Sequence, residues 1–246
     1  KVTGNVSLNN NFEAHGAVCL PAATIDGNLE CDGGTFNNPS TKNENRSALN
    51  CNSFTVTGNV SLDDNFEAHG AVLLLGATIG GNLACQRGTF KNTGGNALSG
   101  DRLKVTGSVF LNDNFEAHGA VLLLSATIGS KLVCREGTFQ NAGGVALYCD
   151  RLKVTGDVFL DERFKANGVV RLPGTTIGGD LSCVDGRFAC RRPAETGSTR
   201  CATALDLQTA TVHGAFHFHQ PSPVVEGSID LSHAHVRVLV DDAASW

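Results

Sequence analysis

Methionine is missing from this 246-residue chain, and tryptophan and tyrosine occur once each. Aromatic platforms on which sugar rings stack are therefore nearly absent. Positive charge is not in excess: 19 Lys and Arg face 24 Asp and Glu, for a net charge of −5. That balance gives no cationic footprint for nucleic acid, which is not expected as a partner. Long hydrophobic runs are lacking too. The longest strongly apolar stretch is the five residues Ala71–Leu75, against the roughly 20 needed by a transmembrane helix, and no signal peptide is visible. There is no G-x-G-x-x-G after a strand, no Walker loop and no C-x-x-C pair, so nucleotide-dependent and dithiol chemistry have no support.

What the chain has is repetition. A unit of 49 residues starts at Val56 and returns almost unchanged at Val105 and Val154. Each unit holds two related coils opening on Val or Ile, at Val2, Ile25, Val56, Ile79, Val105, Ile128, Val154, Ile177 and Val212. The steps between them are 23, 31, 23, 26, 23, 26, 23 and 35 residues. One coil type is fixed in length; the other is elastic at one place, after its Phe, as a solenoid is when its loops emerge on one side. Apolar residues alternate with polar ones in bursts of period two, which indicates strands, and glycines separate the bursts. We therefore expect an all-β fold, a right-handed parallel β-helix of about nine coils of 23 to 35 residues. Four short faces per coil fit best, with three as the alternative. Residues 1–212 form the regular coils and 213–246 an irregular cap. Lys1-Val2-Thr3-Gly4 repeats Lys104-Val105-Thr106-Gly107, and with no Met present the chain reads as a piece of a longer one.

Stacking the coils generates columns. One runs Val6, Leu29, Val60, Leu83, Val109, Leu132, Val158, Leu181 and Phe216. A second alternates Leu8, Cys31, Leu62, Cys85 and onward to Cys183, and a third collects Phe12, Phe36, Phe66, Phe90, Phe115, Phe139, Phe164 and Phe188. All are core columns by pattern. Asn5, Asn28, Asn59 and Asn82 form an outer ladder, suited to stacked amides. The column cysteines recur every second coil, roughly 9–10 Å apart, beyond the roughly 7 Å Cα separation of a disulfide. They read as small, inert hydrophobes. Cys190 and Cys201, in the longest insertion, are the candidate disulfide.

Three constellations suggest chemistry. The triplets Glu13-Ala14-His15, Glu67-Ala68-His69 and Glu116-Ala117-His118, which become Lys165-Ala166-Asn167, also lie two coils apart, with Thr93 and Ala142 expected in intervening coils, so they read as repeated surface polarity. His213, His217, His219 and His233 crowd the last coils. Aligning Ile229-Asp230-Leu231 under Phe216-His217-Phe218 puts Asp230 beside His217, a donor set suited to zinc, copper or nickel. Acids in the degenerate repeats, Asp157, Asp161, Glu162, Asp180 and Asp185, are the candidates for a carbohydrate-active site. The outer threonine column at the coil openings is interrupted by Lys1, Lys104 and Lys153, so it is too narrow for an ice-binding face. No catalytic or organic-cofactor set emerges.

The outward apolar residues are more suggestive. Leu73, Leu75, Leu122 and Leu124 point outward if Val72 and Leu74 point in, and Phe110, Val133 and Phe159 add apolar atoms elsewhere. Contiguous patches of this kind mark partner sites, unless the elastic loops cover them. The pattern G-x-V-x-L…F-x-A-x-G-x-V-x-L-x-x-A-x-I-G-G-x-L-x-C, from Val2 to Leu181, resembles a bacterial β-helical repeat family akin to pentapeptide-repeat solenoids. The ending Val238–Trp246 is similar to the junction into a further carboxy-terminal region in such proteins. The resemblance implies a solenoid, with a cytoplasmic or membrane-associated setting. Its members are often labelled membrane-associated oxidoreductases, a label that no motif here matches. The expected role is a non-catalytic scaffold or interaction module for a protein partner or membrane-bound assembly. The alternatives are a metal or carbohydrate site at the last coils, and self-association through unpaired coil ends.

Overall fold

The computed structural model describes residues 1–39, 46–190, 203–219 and 224–242. Every strand pairing in it is parallel, and successive coils pair in the order of the chain, which makes a β-solenoid of about nine turns. No helix among the described residues is long and apolar enough to cross a membrane. One coil supplies four short segments. In the third coil these are Thr55–Val56, Val60–Ser61, Glu67–His69 and Ala71–Leu73. The first two stack into a 17-stranded sheet and the last two into a 14-stranded one. We number these the first to fourth faces.

Register follows the column reading at the coil openings: Ile79 pairs with Val56 and Val105, and Leu83 with Val60 and Val109. It continues beyond residue 212. Thr211–Phe218 pairs with Thr176–Ile177 and Leu181–Ser182, and His235–Asp241 pairs on top of it.

The phenylalanine column is a continuous stack of rings, with centroids 5.2–5.4 Å apart and planes tilted 41–45° from Phe12 to Phe188. Its backbone origin differs from the expected one. On the third face Phe90 pairs with Ala68 and Ala117, not with Phe66 and Phe115. The odd-coil rings reach the stack from the corner before that face. Odd coils turn this corner with two consecutive left-handed residues, such as Asp64 (φ 49°) and Asn65 (φ 71°), whereas even coils use one, such as Arg87 (φ 58°). The extra residue moves Phe66 into the corner and leaves Ala68 on the strand. Large and small residues then complement each other between coils. Leu62, Leu111 and Leu160 alternate with Cys85, Cys134 and Cys183, and Leu103 and Leu152 alternate with Ala77 and Ala126, all fully buried.

The outer asparagine ladder works through the backbone rather than by amide-to-amide stacking. Asn28, Asn59 and Asn82 Oδ1 each accept the backbone N–H of the matching residue one coil on, at 2.8–2.9 Å. Asp157 and Asp180 repeat the bond at 3.0 and 2.7 Å, and this bond, with Lys131 adding its charge, holds the Asp157 carboxyl below its ordinary range. To reach the next coil the side chain fills the space of a Cβ there. A Cβ at Gly58, Gly81, Gly107, Gly179 or Gly214 would lie 2.1–2.2 Å from the ladder oxygen. Where the ladder residue shortens to Ser108, the position above carries Ser130 instead of glycine.

The elastic loops are pinched at their necks. Asn38, Asn92 and Asn141 donate their side-chain amides to the carbonyls of Ser47, Asn96 and Val145 at 2.8–2.9 Å. The next odd coil packs a glycine against each neck. A Cβ on Gly70, Gly119 or Gly168 would lie 2.4–2.6 Å from the Asn38, Asn92 or Asn141 carbonyl oxygen, and all three have φ between +126° and +137°. The odd corner thus has no room to grow. We expect Gly107→Ala to lose about 2 kcal/mol through the Asn82 clash, measured by urea denaturation. Adding Asn82→Ser should return part of that loss, and simple additivity would show that the clash is not its cause.

Candidate functional site

The expected donor set at the last coils is spread over separate parts of the coil. His217 lies on the second face, between Ser182 and Val240, with Nε2 3.5 Å from Asp180 Oδ2. His213 is exposed on the first face and His219 is half-buried just after Phe218. Asp230 belongs to the fourth face, where it pairs with Asp206 rather than His217, accepts from Gln208 Nε2 at 2.6 Å and takes the Ser232 N–H at 2.9 Å. Its carboxyl is lowered by Ser232 first and Gln208 second. His233 is an exposed corner residue at φ 58°. Among the described residues no group of three or more His, Cys, Asp or Glu could hold a metal ion. The alignment of Asp230 beside His217 failed because the connection before Ile229 returns the chain to a different face.

In each Glu-Ala-His triplet the histidine Nε2 faces the glutamate Oε2 of its own coil, at 3.8, 3.1 and 3.4 Å. Register places Asn37 and Lys91 between the histidines and Gln140 between His118 and Asn167, where Thr93 and Ala142 were expected in the last two places. Lys91 Nζ adds a contact of 3.7 Å to Glu67. These groups pair locally instead of converging.

The outward apolar residues divide into two cases. Leu73 and Leu122 are separated by Ser99, and the column of Leu75 and Leu124 is interrupted by Asp101 and Asp150. Beyond Leu122 come Tyr148 and Arg171, whose guanidinium sits 5.1 Å from the Tyr148 ring and within 3.4 and 3.7 Å of Asp150 and Asp206. On the second face, by contrast, Ala84, Phe110, Val133 and Phe159 occupy four consecutive coils without interruption. Phe110, Val133 and Phe159 are each half-buried. Lys131 and Arg135 lie 5.4 and 4.1 Å from the Phe159 ring, flanking the strip with positive charge.

Cys31, Cys51, Cys85, Cys134, Cys149 and Cys183 are buried, and Cys19 is exposed. Burial pushes the buried thiols up, Cys51 to about 12, so they carry no thiolate at neutral pH. Cys190 stands buried at the neck position held by Asn38, Asn92 and Asn141 in the other even coils. Cys201, its expected partner, lies outside the described residues.

One polar group was not singled out from the sequence, because it needs adjacent-coil register to be seen. Asp32 and Asp63 follow one another at the end of the second face, where the Asp63 N–H approaches Asp32 Oδ1 at 3.4 Å. Burial, then the hydrogen bond and charge of Asp32, then the charge of Asp64, push the Asp63 carboxyl up to about 6. The fold therefore favours its protonated form. That contribution is complete below about pH 4 and is lost as pH rises through 6. Asp63→Asn should raise the melting temperature at pH 7.5 and give no gain at pH 4, in paired thermal scans. A gain independent of pH would show that ionisation is not responsible. No protein-family model, curated protein or solved structure matches this chain.

Proposed function

We propose that this solenoid is a non-catalytic scaffold that engages a protein partner through its second face. The observation that carries the reading is the unbroken outward strip Ala84, Phe110, Val133 and Phe159, set in a face whose other outward positions are mainly polar or charged. Part-exposed aromatics on a rigid sheet supply contact area at little entropic cost, as binding hot spots do. The repeat pattern, which resembles that of bacterial β-helical proteins akin to pentapeptide-repeat solenoids, supports a structural role. The sealed thiols and locally paired Glu–His groups also favour presentation over turnover. A photo-reactive benzoyl-phenylalanine at position 110 of the full-length protein should give one discrete protein adduct in its host cell. The same group at position 57, in the corner after the first face, should give none, and Val133→Glu should abolish the adduct at 110. Equal labelling at both positions, or none, would sink this reading.

A second reading, association through coil ends, is favoured by one observation. Among the described residues the exposed large hydrophobics are Val2, Val238 and Leu239, at 40, 48 and 46 % exposure, on the first and last rungs. Among the described residues the strand His235–Asp241 pairs with Thr211–Phe218 and with no other strand, and strand edges are templates for pairing. Light scattering of the 246-residue segment across about a hundredfold concentration range should show mass growing, with Leu239→Asp restoring the monomer. A constant monomer mass would remove this reading.

A further inference from the structure

The second face changes character along its length. From the asparagine ladder to the column of Asp32 and Asp63, the outward positions of the first five coils carry charge only as Glu30, Asp32 and Asp63. Among the described residues no lysine or arginine shares those columns before Lys131 and Arg135 of the sixth coil, which are matched by Asp157, Asp161 and Glu162. Arg87, at the corner that follows, is paired with Asp64. Neutral groups orient Glu30 without cancelling its charge: Asn5 Nδ2, Ser7 Oγ and Asn28 Nδ2 donate to it at 2.9, 2.8 and 3.4 Å. Asp32 Oδ1 lies 3.4 Å from the Asp63 N–H, so like charges stand on adjacent coils.

These acids are continuous with the apolar strip. Glu30, Asp32, Ser61, Ala84 and Phe110 line one open depression of about 380 Å³. The surface sinks between its acidic end and the Phe110 ring because Ser61 and Ala84 are short. Phe110 and Ser61 are two coils apart, roughly 10 Å at the backbone. A long basic side chain suits both ends of such a site. Its methylene stem covers Ala84 beside the ring, and its charged head lies among the carboxylates. The acids close no metal shell among the described residues. A guanidinium needs no closed shell, since its five N–H groups spread over several acceptors.

We propose that the protein partner of the second face inserts an arginine side chain into this depression, beside an apolar residue that packs on Phe110 and Val133. This rests on the reading of the strip as a protein-binding surface and adds the charge complementarity that selects the partner. The test uses the full-length protein carrying trifluoromethyl-phenylalanine at position 110, whose fluorine resonance reports occupancy of the depression. Butylguanidinium should shift that resonance saturably, with a half-point on the order of millimolar. Butylurea, alike in shape but uncharged, should bind at least about tenfold more weakly. Methylguanidinium, which lacks the stem, should bind at least about fivefold more weakly. Glu30→Gln combined with Asp32→Asn preserves side-chain size and should weaken butylguanidinium about tenfold, with melting temperatures confirming the fold. Absence of saturation overturns the proposal, as does equal binding of butylurea or methylguanidinium, or an affinity unchanged in the double variant. The same variant should lower the photo-adduct at position 110 about tenfold. An adduct undiminished in it overturns the arginine site and leaves the strip reading standing. Absence of any adduct in the parent protein removes both.

Discussion

Backbone hydrogen bonds between successive coils hold them about 4.8 Å apart, and every side chain must suit its neighbour at that distance. Parallel pairing runs without a break from the first coil opening to the last. Phenylalanine meets the constraint by tilting. Centroids 5.2–5.4 Å apart at 41–45° fall within the range aromatic pairs favour, whereas flat stacked rings would leave a gap. Leucine and cysteine meet it by alternation, a large residue above a small one, which keeps the core filled without repeating one shape. The two-coil unit is therefore a packing unit.

The same spacing accounts for the glycines. An asparagine that reaches up to accept the next N–H contributes about 0.5–1.5 kcal/mol, but its oxygen takes the volume of the Cβ above. Gly58, Gly81 and Gly107 are the other half of that bond. The Ser108 and Ser130 pair shows the two halves changing together within one chain. At the elastic corner the relation turns sideways. The neck asparagines close loops of differing length, and the glycines of the odd coils fit under their carbonyls. Freedom in one coil type requires rigidity in the other.

Much of this was legible in the residues. The openings Val2 to Val212 lie in register as their spacing required, and the elastic place is where the lengths varied. The limits of that reading have a physical cause. Period-two patterning identifies inward residues but does not count left-handed corner residues, so Phe66 and Phe90 looked equivalent and Thr93 took the place of Lys91. Asp230 looked like a neighbour of His217 because a short motif does not reveal which face a loop returns to. The leucine strip looked contiguous because its members were compared between like coils, leaving out Ser99. The Asp32–Asp63 pair was missed for the opposite reason, since it joins unlike coils.

That distinction between like and unlike coils governs where chemistry can occur. Residues repeated by the two-coil unit are roughly 9–10 Å apart, too far to share a proton, an ion or a small ligand. Groups that cooperate must lie on adjacent coils, which the repeat makes different in kind. Cooperation therefore arises where both members of a neighbouring pair depart from their templates, or where two templates happen to complement each other. Phe110 with Val133 is a departure from the serine and alanine carried earlier in that column. The histidine triplets keep to the template, and each finds its partner in the glutamate of its own coil. In a solenoid of this kind fidelity to the repeat builds the shaft, and a function needs two consecutive coils to abandon it together.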